Sequence, residues 1–157
     1  MPRLFVREFD VPTESIDAND HVNNKEYLRW MEEVAIAHSA AQDWPLERYR
    51  ALGATWYVRT HFVEYLRPAV VGTRLRLATW VATMERRASL RRYAFLRAAD
   101  GKAIARAETM WMFVASGTGR ACDIPPALRE AFPLVADDDP LLTEFRSAPK
   151  RARAAMP

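Results

Sequence analysis

The sequence predicts an α+β fold in which one curved antiparallel sheet of about five strands wraps a long central helix. Three observations point to it. A short run of apolar residues among charges precedes a polar loop and one broadly apolar helical stretch. Four segments of alternating character then follow between residues 54 and 116. These segments reach lengths near ten residues, beyond the usual ~5–6, and long strands suit a sheet that must curl.

Residues 3–12 hold Leu4, Phe5, Val6 and Phe9 with charges between, and read as a first strand that stops near Val11-Pro12, because proline cannot donate to a central ladder. Residues 13–23 form a polar loop. A helix is expected from about Asn24 to Ala41, capped by Asn23 or Asn24, with Glu26 in the first turn where a negative charge is favoured. Tyr27, Trp30, Met31, Val34 and Ala35 recur at three- and four-residue spacings, and Leu28, Ile36 and Ala37 widen the stripe. A helix apolar on so many sides is buried on most of them. Trp44-Pro45 ends it, and Leu46–Leu52 adds a short helical turn before Gly53.

In the next segment Trp56, Val58, Thr60 and Phe62 alternate with Tyr57, Arg59 and His61. Pro68 and Gly72 mark a turn. Leu75, Leu77, Thr79 and Val81 then alternate with Arg74, Arg76 and Trp80. A further strand spans about Ala88–Ala98, with Leu90, Ala94 and Leu96 on one face. Asp100-Gly101 is a hairpin signal, and the last strand runs from about Lys102 to Ala115, ended by Gly117 and Gly119. Ala127–Phe132 reads as a short helix with Pro125 and Pro126 near its start. The expected division is one domain over residues 1–133 and a C-terminal tail over 134–157, in which Asp137–Asp139 and Arg146–Arg153 are opposite charge runs of a solvated or frayed end.

Length and composition bound the function. The chain has 157 residues, half of them hydrophobic, enough for one domain with a sizeable core. The N-terminus has no apolar run of signal-peptide length, and no stretch approaches the ~20 apolar residues that span a bilayer. The single Cys122 excludes an internal disulfide, which with the composition predicts a cytoplasmic protein without membrane insertion. No Cys/His spacing suggests a metal site, and no cofactor is expected. The net charge of +3 suits a phosphate-bearing or otherwise acidic partner; nucleic acid is not expected, because the arginines are scattered.

The chemistry concentrates in Asp17-Ala-Asn-Asp-His-Val-Asn-Asn-Lys-Glu-Tyr27, a cluster of acids, amides and an imidazole just before the long helix. Backbone N–H groups at a helix start lack partners and carry positive potential, so this is a place to bind and polarise a carbonyl oxygen.

The run resembles the active-site segment of hotdog-fold acyl thioesterases. The 4-hydroxybenzoyl-CoA thioesterase-like family carries Asp-x-x-Gly-His-Val-Asn-Asn-x-x-Tyr, which Asp17, His21, Val22, Asn23, Asn24 and Tyr27 match, with Asp20 where that family has Gly. The acyl-ACP thioesterases carry Asp-x-Asn-x-His-Val-Asn-Asn-x-x-Tyr, which Asn19 also satisfies. Further matches are Glu64–Ala69, Gly72 and Glu85–Ser89. The acidic residue and Cys found downstream in the acyl-ACP enzymes are replaced by Pro68 and Ala69, and those enzymes join two hotdog units where this chain has one. Both departures favour the single-domain CoA-type enzymes.

The resemblance implies hydrolysis of an acyl-CoA, or of an acyl-ACP, within a single hotdog domain. Asp17 would be general base or nucleophile, a backbone N–H near Asn24 the oxyanion donor, and Asn19 and His21 further polar groups of the site. Turn-shaping by Asn19 and loop-fastening by His21 are the structural alternatives. Asp20 has three open roles: helix cap, second acid, or repulsion of an anionic substrate. Tyr27 is expected at the substrate, and Arg86, Arg87 and Ser89 match a segment that contacts nucleotide phosphates. Glu64 reads as a surface charge or a partner of Arg67, His38 as a core or interface histidine, His61 as a strand residue without a partner, and Trp30, Trp56, Trp80 and Trp111 as core, one or two of them lining an acyl slot. An open sheet edge is normally paired or covered, so a homodimer with a continuous sheet is expected, and a dimer of dimers beyond it. A hotdog hydratase-dehydratase and a non-catalytic acyl-binding protein are the competing readings.

Overall fold

In the computed structural model, which describes residues 2–146, strand β1 (Phe5–Asp10) leads through a 3-10 turn at Thr13–Ser15 into helix α1 (Asn24–Ala41). Asn23 is the cap: its backbone is extended and its side-chain oxygen accepts from the Lys25 N–H at 3.1 Å. The helix stops where Asp43 turns left-handed, at φ 66°, and the Trp44 N–H returns to the Ser39 carbonyl at 2.8 Å. Helix α2 (Leu46–Leu52) follows and ends on Gly53, which at φ 77° adopts the conformation glycine takes most easily.

Strands β2 (Ala54–Tyr65), β3 (Arg74–Val81), β4 (Ala88–Arg97) and β5 (Ala103–Ala115) complete one antiparallel sheet in the order β1-β3-β4-β5-β2. β1 and β2 are therefore its edges. The concave face holds α1: Tyr27, Trp30, Met31 and Val34 pack against Leu75, Leu77, Tyr93 and Phe95. Met31 and Val34 are fully buried, and truncating such a methionine to alanine costs about 2–5 kcal/mol. A second cluster joins α2 to the far end of the sheet and to helix α3 (Pro126–Ala131), through Trp44, Tyr49, Phe113, Leu128 and Phe132.

Leu90, Ala94 and Leu96 share a face as expected, and Ala94 and Leu96 belong to the outer surface of the sheet; Tyr93 and Phe95 face α1. One expectation is corrected here. The stretch after residue 133, expected as a solvated tail, covers that outer surface as far as it is described: Val135, Leu142 and Phe145 are buried against Ala78, Trp80, Ala94 and Leu96. Asp137 pairs with Arg92 and Asp139 with Arg3, so part of the acidic run is held to the body. A few large apolar side chains suffice for this, because Ala78 and Trp80 offer them an unpartnered surface on which to remove area from water. The basic run at Lys150, Arg151 and Arg153 lies outside the described residues.

Candidate active site

The polar loop is a tight hairpin-like turn. Ile16 and Val22 pair across it, the Asp17 N–H donates to the His21 carbonyl at 2.8 Å, and the Asp20 N–H donates to the Asp17 carbonyl at 3.1 Å. The Asp17 carboxylate accepts from the Asn19 N–H at 2.8 Å, an Asx-type closure that fixes one oxygen. Asp20 sits at φ 62°. Glycine is favoured there and aspartate is among the few other residues that tolerate it, which explains why the two can exchange at this position. The turn is fastened to the 3-10 turn before it by the Asn23 N–H to Ser15 O at 2.8 Å, and to the loop between β2 and β3 by the Val22 N–H to Ala69 O at 2.9 Å.

At the head of α1 the donors are unequally used. Lys25 N–H goes to the Asn23 side chain and Glu26 N–H to the Asn23 carbonyl at 2.9 Å, while the Asn24 N–H has no acceptor among the described residues. It borders a hollow of about 230 Å³ walled by His21, Val22, Asn24, Tyr27 and Tyr65–Pro68. Tyr27 is buried, its ring edge-on to Tyr65 and Phe95 at 5.2 Å, and burial, then the neighbouring Tyr65, push its hydroxyl up to about 12. It therefore stays protonated at any ordinary pH. The Tyr65 hydroxyl donates to the Asn24 carbonyl at 3.2 Å, tying β2 to the helix start.

The expected residues thus fall into two groups. Asp17, Asn19, His21, Asn24 and Tyr27 gather at the head of α1. Arg86, Arg87 and Ser89 lie at the β3–β4 turn and the start of β4, whereas Phe95, which touches Tyr27, is six residues further along the same strand. At ~3.4 Å per residue this separates the two groups by about 20 Å within one chain. Arg86 and Arg87 are exposed and both approach Asp123, at 3.0 and 2.9 Å, and Arg87 and then Arg86 hold that carboxyl below its usual range. Ser89 is buried and donates to the Thr83 carbonyl at 2.9 Å. Glu64 does not pair with Arg67, which donates to the Ala103 carbonyl at 2.7 Å; it lies opposite Arg106 in the β2–β5 ladder. His61 has a partner after all, Thr109 Oγ1 at 2.8 Å.

Of the second group Ser89 borders a larger cavity of about 440 Å³, within the usual range for small-molecule sites. Its walls come from the C-terminal half of α1 (Ala35, Ile36, Ser39), from α2, and from the ends of β2, β4 and β5, with Trp56 and Trp111 among them. The Ser39 hydroxyl donates to the Trp44 carbonyl at 2.7 Å and meets the Tyr49 hydroxyl at 2.7 Å, and Trp56 Nε1 donates to Tyr49 at 3.2 Å.

Sequence reasoning missed Arg91 on this wall. The signal was an arginine in phase with Ser89, Tyr93 and Phe95 on the inward face of β4. Its Nη1 donates to His38 Nδ1 at 2.9 Å and to Thr79 Oγ1 at 3.1 Å. His38 is buried as expected, and its Nε2–H donates to the Pro2 carbonyl at 3.1 Å. Burial, then the Arg91 charge, lower its pKa to about 4, so it is neutral. Among the described residues no group of three or more His, Cys, Asp or Glu is placed to hold a metal, and no helix is long and apolar enough to cross a membrane.

Comparison with known proteins bears on this geometry. The model of the "Thioesterase-like superfamily" matches residues 11–132. No curated protein matches the chain. Among solved structures, a 1,4-dihydroxy-2-naphthoyl-CoA thioesterase from Synechocystis is 18% identical, with TM-score 0.76 over 82% of this chain and 95% of its own. A DHNA-CoA thioesterase from Staphylococcus aureus is 16% identical, with TM-score 0.76 over 82% and 88%. A hypothetical protein from Staphylococcus aureus in complex with CoA is 17% identical, with TM-score 0.78 over 98% and 96%. At these identities the likeness carries the hotdog fold.

Proposed function

The chain belongs to the thioesterase-like superfamily, and from that premise we propose that it hydrolyses an acyl-CoA thioester to the free acid and coenzyme A. The observation that carries this reading is the unspent Asn24 N–H at the positive end of α1, in the same turn region as the Asp17 carboxylate. A thioester carbonyl seated in the adjoining hollow would accept from that N–H as negative charge grows on its oxygen. Asp17 would take the proton of an attacking water, or attack the acyl carbon itself to give a mixed anhydride that water then opens. In either route the carbon–sulfur bond breaks, the sulfur leaves as thiolate and takes up a proton. His21 and Asn19 would orient the water or the carrier. An acyl-ACP is the alternative carrier.

The reading includes a homodimer. Edge strand β2 is long and carries exposed Tyr57, Val58, Phe62 and Tyr65, and Phe62 is 62% exposed; such an edge is a pairing surface. If two β2 strands pair antiparallel about a centre near Thr60, Tyr65 and the head of α1 in one subunit come beside Trp56–Val58 of the other, at the rim of its large cavity. Within one chain that cavity begins at Glu32, eight residues beyond Asn24, or about 12 Å along the helix. Pairing of this kind would therefore set Asp17 of one chain against the cavity of its partner. Arg86 and Arg87 lie across β5 from Trp56, two strands or about 10 Å away, within reach of the phosphates of a carrier.

The test is thiol release from a panel of acyl-CoAs. Asp17→Ala, folded by circular dichroism, is expected to lose about 10²–10⁴-fold in turnover, the usual worth of a positioned base. Water addition to an enoyl-CoA without thiol release would instead make the protein a hydratase, and saturable binding without either reaction an acyl carrier. Light scattering at micromolar concentration is expected to give a dimer; monomer alone would remove the shared site.

A further inference from the structure

The large cavity has walls that are mostly aromatic, yet its floor includes a guanidinium. Arg91 is 6% exposed, and among the described residues its contacts are to His38 and Thr79, with no carboxylate at ion-pair distance. Nη1 is used on His38 and Thr79, both uncharged acceptors, and the Phe132 ring lies 5.7 Å from the guanidinium carbon. The donors on Nε and Nη2 have no acceptor among the described residues. Of the other polar groups of the wall, Ser89 is bonded to Thr83, Ser39 to Trp44 and Tyr49, and Trp56 to Tyr49, while the buried Trp111 Nε1 is a second, uncharged donor without a partner among the described residues. Glu32 is the single carboxylate on the wall, exposed at the mouth and bonded to nothing on Arg91.

A buried, unpaired cation is costly, and completing it with an anion removes most of that cost. The planar fork of arginine fits a carboxylate better than any other common group. We infer that Arg91 receives a carboxylate at the far end of the acyl group, so that the preferred substrate is a thioester whose acyl chain ends in a second carboxylate. This rests on the thioesterase reading for the reaction but not for the binding. The apolar length of the chain lies against Trp44, Trp56, Trp111 and Phe132, and its terminal charge meets Nε and Nη2. The thioester end points to the mouth, where the partner's catalytic turn is proposed to lie. Arg91 is then a specificity-determining residue that touches substrate, held in place by His38 and Thr79.

The test compares adipoyl- and suberoyl-CoA with hexanoyl- and octanoyl-CoA, matched in chain length and differing in the terminal group. kcat/KM is expected to be about tenfold or more higher for the carboxylated pair, the worth of a charge-assisted hydrogen bond. Arg91→Met is expected to bring the ratio to about one, and Arg91→Lys to keep part of it. Equal kcat/KM for both pairs in the native protein, or a ratio unchanged in Arg91→Met, overturns the inference. Because three tryptophans line the cavity, suberate and its dimethyl ester can also be titrated against intrinsic fluorescence. This readout needs no turnover and no variant. Tighter binding of the diacid supports the Arg91 site even if no acyl-CoA is hydrolysed, in which case only the proposed reaction falls. Equal or absent quenching by both compounds counts against the site even if thiol release is observed.

Discussion

The two ends of α1 differ in how they handle polarity. At its head, donors and acids are close to solvent: Asn24 is exposed, Asp20 and His21 are exposed, and the Asp17 carboxylate is tied down by a single backbone N–H. At its other end polarity is buried and interlocked, with His38, Arg91, Thr79, Ser39 and Tyr49 bonded among aromatic rings. A reacting group needs access to water and a charge that is free to change. A recognition group needs exclusion of water, because only then does one unpaired donor discriminate strongly between ligands. The contrast fits the proposal that chemistry belongs to the head of the helix and selectivity to its far end.

The comparison is sharpened most by pH. His38 is held neutral in the folded state, with its pKa lowered from 6.5 to about 4. The unfolded chain therefore binds a proton that the native one refuses between those values, so stability is complete above about pH 6.5 and falls as the pH drops towards 4. The full loss is about 3 kcal/mol. Denaturant midpoints measured from pH 7 to 4 are expected to fall, and His38→Gln is expected to flatten that slope. If the slope is unchanged in the variant, the buried end is not the acid-sensitive one.

A smaller effect separates the ends by where damage is felt. Ser39→Ala leaves the Trp44 carbonyl and the Tyr49 hydroxyl short of a partner and is expected to cost about 1–3 kcal/mol. Asn23→Ala removes only the exposed cap and is expected to cost about 1 kcal/mol. Thermal unfolding of both variants checks the order. Equal losses would mean that the two ends are not differently packed.

The smallest effect concerns Asp20. Glycine at φ 62° relieves side-chain strain but frees the unfolded chain, so Asp20→Gly is expected to change stability by less than about 1 kcal/mol. Turnover is expected to stay within a few-fold. A larger loss of activity with stability intact would make the Asp20 carboxylate, rather than its backbone, the reason for its presence.

The helix and its cap were readable because Asn23, Glu26 and the spacing of Tyr27, Trp30, Met31 and Val34 all agree locally. The five strands were readable from alternation and from turn residues such as Asp100-Gly101. Which face of β4 looked inward was not, since Tyr93 and Phe95 on one side and Ala94 and Leu96 on the other are both apolar. The polar turn was legible as a motif, and its left-handed Asp20 explains the glycine of related sequences. The large cavity was not, because it is made by α1, α2, β2, β4 and β5 together and no single segment announces it. Nor did the Glu64–Arg67 pairing survive, because strand register, not nearness in sequence, decides which charges face each other.

Val135, Leu142 and Phe145 lie on the outer side of the sheet like a strap across its back. A chain cut after Pro133 would keep every residue proposed for catalysis, yet lay bare Trp80, Ala78, Ala94 and Leu96 together. Shortened versions would be expected to stick to one another through this uncovered patch. The strap also reserves that surface: if two dimers stack, they must meet somewhere other than the ground it occupies.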